Sequence, residues 1–356
     1  MLGTCAMLIA AFLASPAPAD TTATAERLFQ ALGFSADEQA KLHQGEIVSH
    51  AFPELSDKEL SITMAVLAPV PMSKLVEFAR SGKGLEINSD ILSHGDLGDG
   101  SAGDKAFEKA GFTQAQSGEI NDLYKVEAGS KFNFSAAEMG RFAELRKKIG
   151  SKACATDPAC AAAVVSEYRG VLQARLQSYV QRGLSGIEPY AREGGKTASP
   201  AEELGKAAEA TKPLAKEHPE VLDAFINYPK GDQTGVENKF LWLQQNIQDR
   251  PTFILSHRML HVREGIAVAA ERQFYVGQSY NSLQTLYGLI PQGDKTLVFY
   301  LNRTSTDQVA GFMTSTRHGV GRKIMEKEVR KWFEQVLASM GKTSQAALAS
   351  DSPAAE

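Results

Sequence analysis

Residues 253–303 read FILSHRMLHVREGIAVAAERQFYVGQSYNSLQTLYGLIPQGDKTLVFYLNR. Apolar, aromatic and β-branched runs of strand length are broken at Glu264-Gly265, Gly277-Gln278 and Pro291-Gln292-Gly293. Runs separated by such short turn-forming groups pair as hairpins, so the stretch predicts four consecutive antiparallel strands. Beyond it, from about Gly319 to Met340, Val320, Ile324, Val329, Trp332, Phe333, Val336, Leu337 and Met340 recur on one side of a helix, with Arg322, Lys323, Lys327, Arg330 and Lys331 elsewhere. Such a helix can cover a sheet or lie on an anionic membrane. Covering the sheet is the expectation, because a bare sheet face leaves too much apolar area in water.

Taking Glu264-Gly265 and Gly277-Gln278 as two-residue turns fixes a register. His257 then faces Arg272 and Arg258 faces Glu271, an opposite-charge pair that supports the alignment. One face carries His257, Arg272, Asn281, Tyr287, Tyr300 and Asn302 singly among apolar neighbours such as Leu255, Val268 and Val298. Isolated hydrogen-bonding groups in an apolar wall are the composition of a ligand pocket, so these six, with Trp332 from the final helix, are the candidate ligand-binding residues. The opposite face, with Ile254, Arg258, Leu260, Glu271, Gln273, Gln284 and Arg303, is equally mixed. A slip of one residue exchanges the two faces.

Working toward the N-terminus, Phe240-Leu241-Trp242-Leu243 reads as a last apolar helix before the sheet. The segment before it, 82–238, is expected to be a mainly helical insertion. Ser135 with Glu138 forms a capping box for a helix to about Lys148, and Asp157-Pro158 opens a long helix that stops at Arg182-Gly183. Val164, Tyr168, Leu172, Leu176 and Val180 mark the buried stripe of that helix. Shorter helices are expected from Ser199-Pro200 and over Pro219 to Asn227, with a short strand at Leu85 to Asn88. The GDLGDGSAGD run at 95–104 lacks the alternate oxygen ligands and closing Glu of a calcium loop, and reads as solvent loop. Residues 20–81 supply helices at Thr22–Leu32 and Ser35–Leu42, strands at Glu46–Phe52 and Leu60–Val70, and a helix at Met72–Arg80.

The first residues, 1–19, join an apolar run to Ala17-Pro18-Ala19, the pattern of a secretory signal peptide, although no Lys or Arg precedes the run. Two later cysteines, Cys154 and Cys160, suit an oxidising compartment. Within one helix their Cα atoms would lie about 9 Å apart, beyond disulfide reach. Asp157-Pro158, however, places Cys154 in the loop before the helix, from which it can fold back onto Cys160. The expectation is a structural disulfide in a periplasmic or secreted protein. No segment after the leader has the roughly 18 apolar residues of a membrane span, and the tail 342–356 is small, polar and acidic, as in disordered segments.

Several chemistries lack support. The net charge of −4 provides no basic field for nucleic acid. His257 and His261, four residues apart in a strand, stand about 13 Å apart and cannot share a metal ion. No GxSxG elbow or Cys–His pair is present, and Gly319-Val320-Gly321 follows no strand that would make it a phosphate loop. No metal or cofactor is expected.

The order of elements, a strand followed by VPMSKLVEFARS (70–81), an interruption, successive hairpins and a closing helix, resembles the START-like, or SRPBCC, helix-grip superfamily. The strings ERQFYVGQSYNSLQTLYGL (271–289), TLVFYLNRTSTDQVAGF (296–312) and GVGRKIMEKEVRKWFEQVL (319–337) are similar to a group of exported bacterial proteins associated with that fold. The resemblance implies an α+β fold, with an antiparallel sheet gripping the C-terminal helix, its sheet and helix at 239–341. It also implies a hydrophobic small molecule or lipid held between the two. An alternative within the same cavity is a cyclase- or hydrolase-like enzyme with His257 as acid or base and Arg272 stabilising negative charge. A further alternative is a protein-interaction scaffold built on the helical insertion.

Overall fold

The structure, a computed structural model, describes residues 21–129, 131–150, 153–212, 219–263, 265–311 and 314–350. Residues 1–19, where a leader is expected, and Glu264 of the first hairpin lie outside the described residues. Two helices, α1 (Thr21–Leu32) and α2 (Ala36–His43), precede strands β1 (Val48–Ala51) and β2 (Glu59–Ala68), and β2 runs into α3 (Met72–Ser81). Then come α4 (Lys83–Ile87), β3 (Ile91–Asp96), α5 (Ser117–Tyr124), α6 (Ala136–Ile149) and α7 (Pro158–Arg182). The two-residue strands β4 (Tyr190–Ala191) and β5 (Thr197–Ala198) pair with each other, and α8 (Pro200–Glu209) and α9 (Pro219–Ile226) follow. A meander of β6 (Val236–Ile247), β7 (Arg250–Arg263), β8 (Ile266–Val276), β9 (Ser282–Gln292) and β10 (Lys295–Ser305) ends in α10 (Thr314–Ser350).

The main sheet has eight strands in the order β1-β2-β10-β9-β8-β7-β6-β3. Every neighbouring pair is antiparallel. Both faces are covered. On one lie α1 and α2, packed through Phe29 and Phe34 on Phe299, and the helices α5 to α8, whose core meets Phe240, Trp242, Phe253, Leu255 and Tyr275 of the sheet. On the other lie α3, α4 and α10, which meet Val66, Ala68, Leu260 and Val298. The result is a three-layer α+β architecture.

Local chemistry accounts for the boundaries. Ser135 and Glu138 form the expected reciprocal cap on α6, and Asp157 accepts the amides of Ala159 and Cys160 ahead of Pro158 at the start of α7. The chain turning into that cap carries Cys154 onto Cys160, with Cα atoms 5.1 Å apart and a disulfide between them. At the other end of α7, Gly183 sits at φ +59° and a Cβ there would stand 1.8 Å from the Tyr228 carbonyl oxygen, so only glycine fits. Val164, Tyr168, Leu172 and Leu176 are buried as their spacing predicts, Val180 is half-buried, and Val171, Arg175 and Tyr179 widen the buried face.

Four expectations fail. Phe240–Leu243 is not helical but the centre of β6: its four apolar residues alternate between the two covered faces, and a strand buried on both sides has the same composition as a buried helix. The strand expected at Leu85–Asn88 is helix α4, and β3 begins three residues later, where Gly95 lets Trp242 pack against the backbone. The loop between β8 and β9 is not the pair Gly277-Gln278 but the five residues 277–281, with Ser279 at positive φ. Finally, α10 continues through Ser350, because the Ala-rich start of the tail favours helix; the last six residues lie outside the described ones.

Candidate functional site

Phe333, Val336 and Met340 seat α10 on the sheet, and the first half of the helix meets it at Gly321, against Leu60 of β2. Phe333, Val336 and Met340 are buried against Val66, Ala68, Val70, Leu75 and Val76, each contributing about 1.5–3 kcal/mol by removal from water. Polar contacts hold the other half: Glu54 takes both His318 and Arg322, Arg330 donates to the Ile47 carbonyl at 2.9 Å, and Lys331 pairs with Asp90 at 3.2 Å. Between these attachments lies a cavity of about 1410 Å³, bounded by the sheet, α10, α3 and α4. That exceeds the roughly 300–1,000 Å³ typical of small-molecule pockets. Val320 and Ile324, more than half exposed, line its rim from the helix.

Strand register sorts the cavity floor into rows. Leu260, Ala269, Tyr287 and Tyr300 follow one another across β7, β8, β9 and β10, with Leu289 and Val298 beyond them, and this end is closed by Trp332, Phe333 and Val336. It is apolar and aromatic. Tyr287 and Tyr300 lie 4.9 Å apart, and Tyr287 and Trp332 6.2 Å. Burial raises both tyrosine hydroxyls above the ordinary phenol pKa, so they are neutral donors. One row further along, Arg258, Glu271, Thr285 and Asn302 stand side by side on the same four strands. Glu271 is fixed by Ser256 at 2.8 Å, Gln273 at 3.2 Å and Arg258 at 3.2 Å. Asn302 donates to Tyr300 and accepts from Thr304, both at 2.8 Å. The Thr285 hydroxyl lies within electrostatic reach of Tyr287 but makes no hydrogen bond of ordinary length and angle. The cavity therefore has an apolar end and a hydrogen-bonding middle.

Of the residues expected to line one pocket, Tyr287, Tyr300, Asn302 and Trp332 are in this wall. His257 and Arg272 are not, because the longer β8–β9 loop shifts β9 and β10 by one residue against them and puts the two sets on opposite faces; Asn281 falls in that loop, ahead of β9, and is bonded to the helical layer. The fully buried His257 ring stacks on Phe240 at 4.1 Å and meets Tyr179 through Nδ1 at 3.0 Å and Asn238 through Nε2 at 2.8 Å. Its pKa is driven well below 6.5 by burial and then by the Arg272 charge. Arg272, also fully buried, donates to Tyr179 and to the Phe225 carbonyl and stacks over the Phe225 ring. Asn281 ties β9 to Glu203 of α8 and to Arg192. These are struts of the helical layer, and His257 does not line the cavity between sheet and α10. Arg258, Glu271, Gln273 and Thr285 line the cavity without standing among the expected ligand-binding residues; the Arg258–Glu271 cross-strand pairing is the sequence signal that points to them.

Among the described residues no helix is long and apolar enough to cross a membrane, and no group of three His, Cys, Asp or Glu side chains is placed to hold a metal ion. Two of the three aspartates of 95–104 accept from nearby backbone, Asp96 from Gly98 and Asp99 from Ser101.

No family model and no curated protein matches the chain. Among solved structures, a START superfamily protein from Mycobacterium smegmatis is similar at 18% identity and a TM-score of 0.20, over 27% of this chain and 66% of that one, just under two thirds of its length. Similarity at that level carries no weight for fold or activity.

Proposed function

We propose that this chain is an exported binding protein that holds a lipid or other hydrophobic small molecule between its sheet and its C-terminal helix, in a START-like helix-grip arrangement. The observation that carries the reading is the cavity of about 1410 Å³ with an aromatic, apolar end and a polar middle. Closing such a space with side chains would stabilise the fold, since unfilled apolar volume is destabilising. A chain that keeps it open has a use for it. Export is part of the proposal, supported by the signal-like leader and by the Cys154–Cys160 disulfide, a bond that persists in oxidising compartments. The basic residues of α10 suit brief contact with acidic headgroups during loading.

The test is to purify the mature protein from the periplasm without detergent, record a native mass spectrum, and extract the sample with organic solvent. A reproducible bound mass, released into the organic phase, is the expected result. A clean apo mass over repeated preparations, with no shift on adding lipid mixtures, would remove the carrier reading.

A further inference from the structure

Six carboxylates and five cations line the cavity. Four of the five cations are already paired with carboxylates of the wall. On the floor, Arg258 is paired with Glu271 at 3.2 Å. At the rim, Arg80 forms a two-pronged pair with Glu237, Lys239 meets Asp96 at 3.0 Å, and Lys331 meets Asp90 at 3.2 Å. The fifth cation, Arg317, donates to the carbonyls of Gln308 and Ala310 at the mouth. An anionic headgroup that reaches the floor must therefore displace Glu271 from Arg258 or lie unpaired beside that carboxylate, and both are costly; the rim pairs, with side chains a third to three-fifths exposed, and Arg317 at the mouth add little to that cost.

A neutral hydroxyl or carbonyl meets a different environment. Thr285 is 4% exposed, faces the cavity and makes no hydrogen bond of ordinary geometry. It stands in register between the Glu271 carboxylate on β8 and the Asn302 amide on β10. A hydroxyl placed at this row can donate to a carboxylate oxygen and accept from Thr285, while the apolar body extends over Tyr287 toward Trp332 and Phe333.

Resting on the carrier reading above, we infer that the ligand is an uncharged amphiphile, a long or polycyclic apolar body bearing a hydroxyl or carbonyl, and that the ion-paired wall discriminates against free fatty acids and phosphate esters. Glu271 sets this preference by neutralising Arg258.

The experiment measures binding of hexadecanol, hexadecan-2-one, hexadecanoate and hexadecyl phosphate to the full mature protein. The probes are kept below their micelle concentrations at a pH where the acids are ionised. The alcohol and ketone are expected to bind at least about tenfold more tightly than either anion. Glu271→Gln, which frees the Arg258 charge, should shrink that ratio by strengthening the anions; Thr285→Val, which keeps the side-chain shape, should shrink it by weakening the alcohol. Anions binding as tightly as the alcohol to the wild-type protein would overturn the inference while leaving the carrier reading in place. A ratio unchanged in both variants would overturn the assignment to Glu271 and Thr285. Failure of all four probes to bind would overturn the cavity reading itself, and this inference with it.

Discussion

Removing the charge of Glu138 is expected to be among the most damaging single changes in the helical layer. Its carboxylate takes Arg175 in two bonds, Nε to Oε1 at 2.7 Å and Nη2 to Oε2 at 2.6 Å, and also accepts the Ser135 amide at 2.7 Å. The Arg175 and Glu138 side chains are only 4% and 11% exposed. Glu138→Gln keeps the size and the helix-capping function, since Gln serves in a capping box, so the change isolates the charge. Breaking a buried pair and stranding one partner costs about 3–5 kcal/mol. The Tyr275 ring, 4.5 Å from the Arg175 guanidinium carbon, is kept in both proteins and does not alter this figure, but the Gln amide oxygen still accepts one Arg175 N–H, which places the expectation at the lower end of the range. The net expectation is a loss near ~3 kcal/mol, read by urea unfolding. At about 2–4 °C per kcal/mol, the accompanying drop in Tm is on the order of 6–12 °C. Adding Arg175→Met to this variant should restore most of the stability, because the uncompensated charge is then gone. A loss under about 1 kcal/mol, or a double variant no better than the single one, would refute the reasoning that an enclosed, mutually dependent ion pair supports this layer.

Two further outcomes follow from the same geometry. Replacing Cys154 and Cys160 with serine opens a short loop and should lower stability by about 2 kcal/mol in denaturant unfolding under non-reducing conditions. The folded state holds His257 neutral while the unfolded chain protonates it near pH 6.5, so its contribution is intact above that pH and lost as pH falls below it. Between pH 7 and pH 5.5 the wild type should therefore lose roughly 1 kcal/mol more than His257→Gln in urea unfolding; parallel losses would show that His257 takes up its proton while folded.

The hairpin β7–β8 was legible because a two-residue turn and an opposite-charge pair at Arg258 and Glu271 both specify one alignment. The closing helix, the disulfide and the cap on α6 were legible for a similar reason: each rests on residues a few positions apart. What failed depended on distant partners. Phe240–Leu243 becomes a strand only because β3 and β7 flank it, and β3 itself, ILSHGD, has a single strongly apolar pair and no alternation to announce it. The β6–β7 turn, Gln248-Asp249, adopts positive φ at both positions without the Asn-Gly signature of that geometry. The site was half legible. Local alternation found Tyr287, Tyr300 and Asn302, but which residues share their face depended on the length of the 277–281 loop, and one residue of error joined His257 and Arg272 to the wrong wall.

The central claim is that the ligand lies between the sheet and α10, and the two tryptophans can locate it. Trp332 lines the cavity, whereas Trp242 is buried on the opposite face with its Nε1 donating to the Ala106 carbonyl. Two single-tryptophan proteins, Trp242→Phe and Trp332→Phe, would be titrated with a long-chain alcohol carrying bromine at its apolar end, a short-range fluorescence quencher. The account predicts saturable quenching of Trp332 in the first protein and unchanged emission from Trp242 in the second. Quenching of Trp242 alone, or no quenching of either, would contradict it.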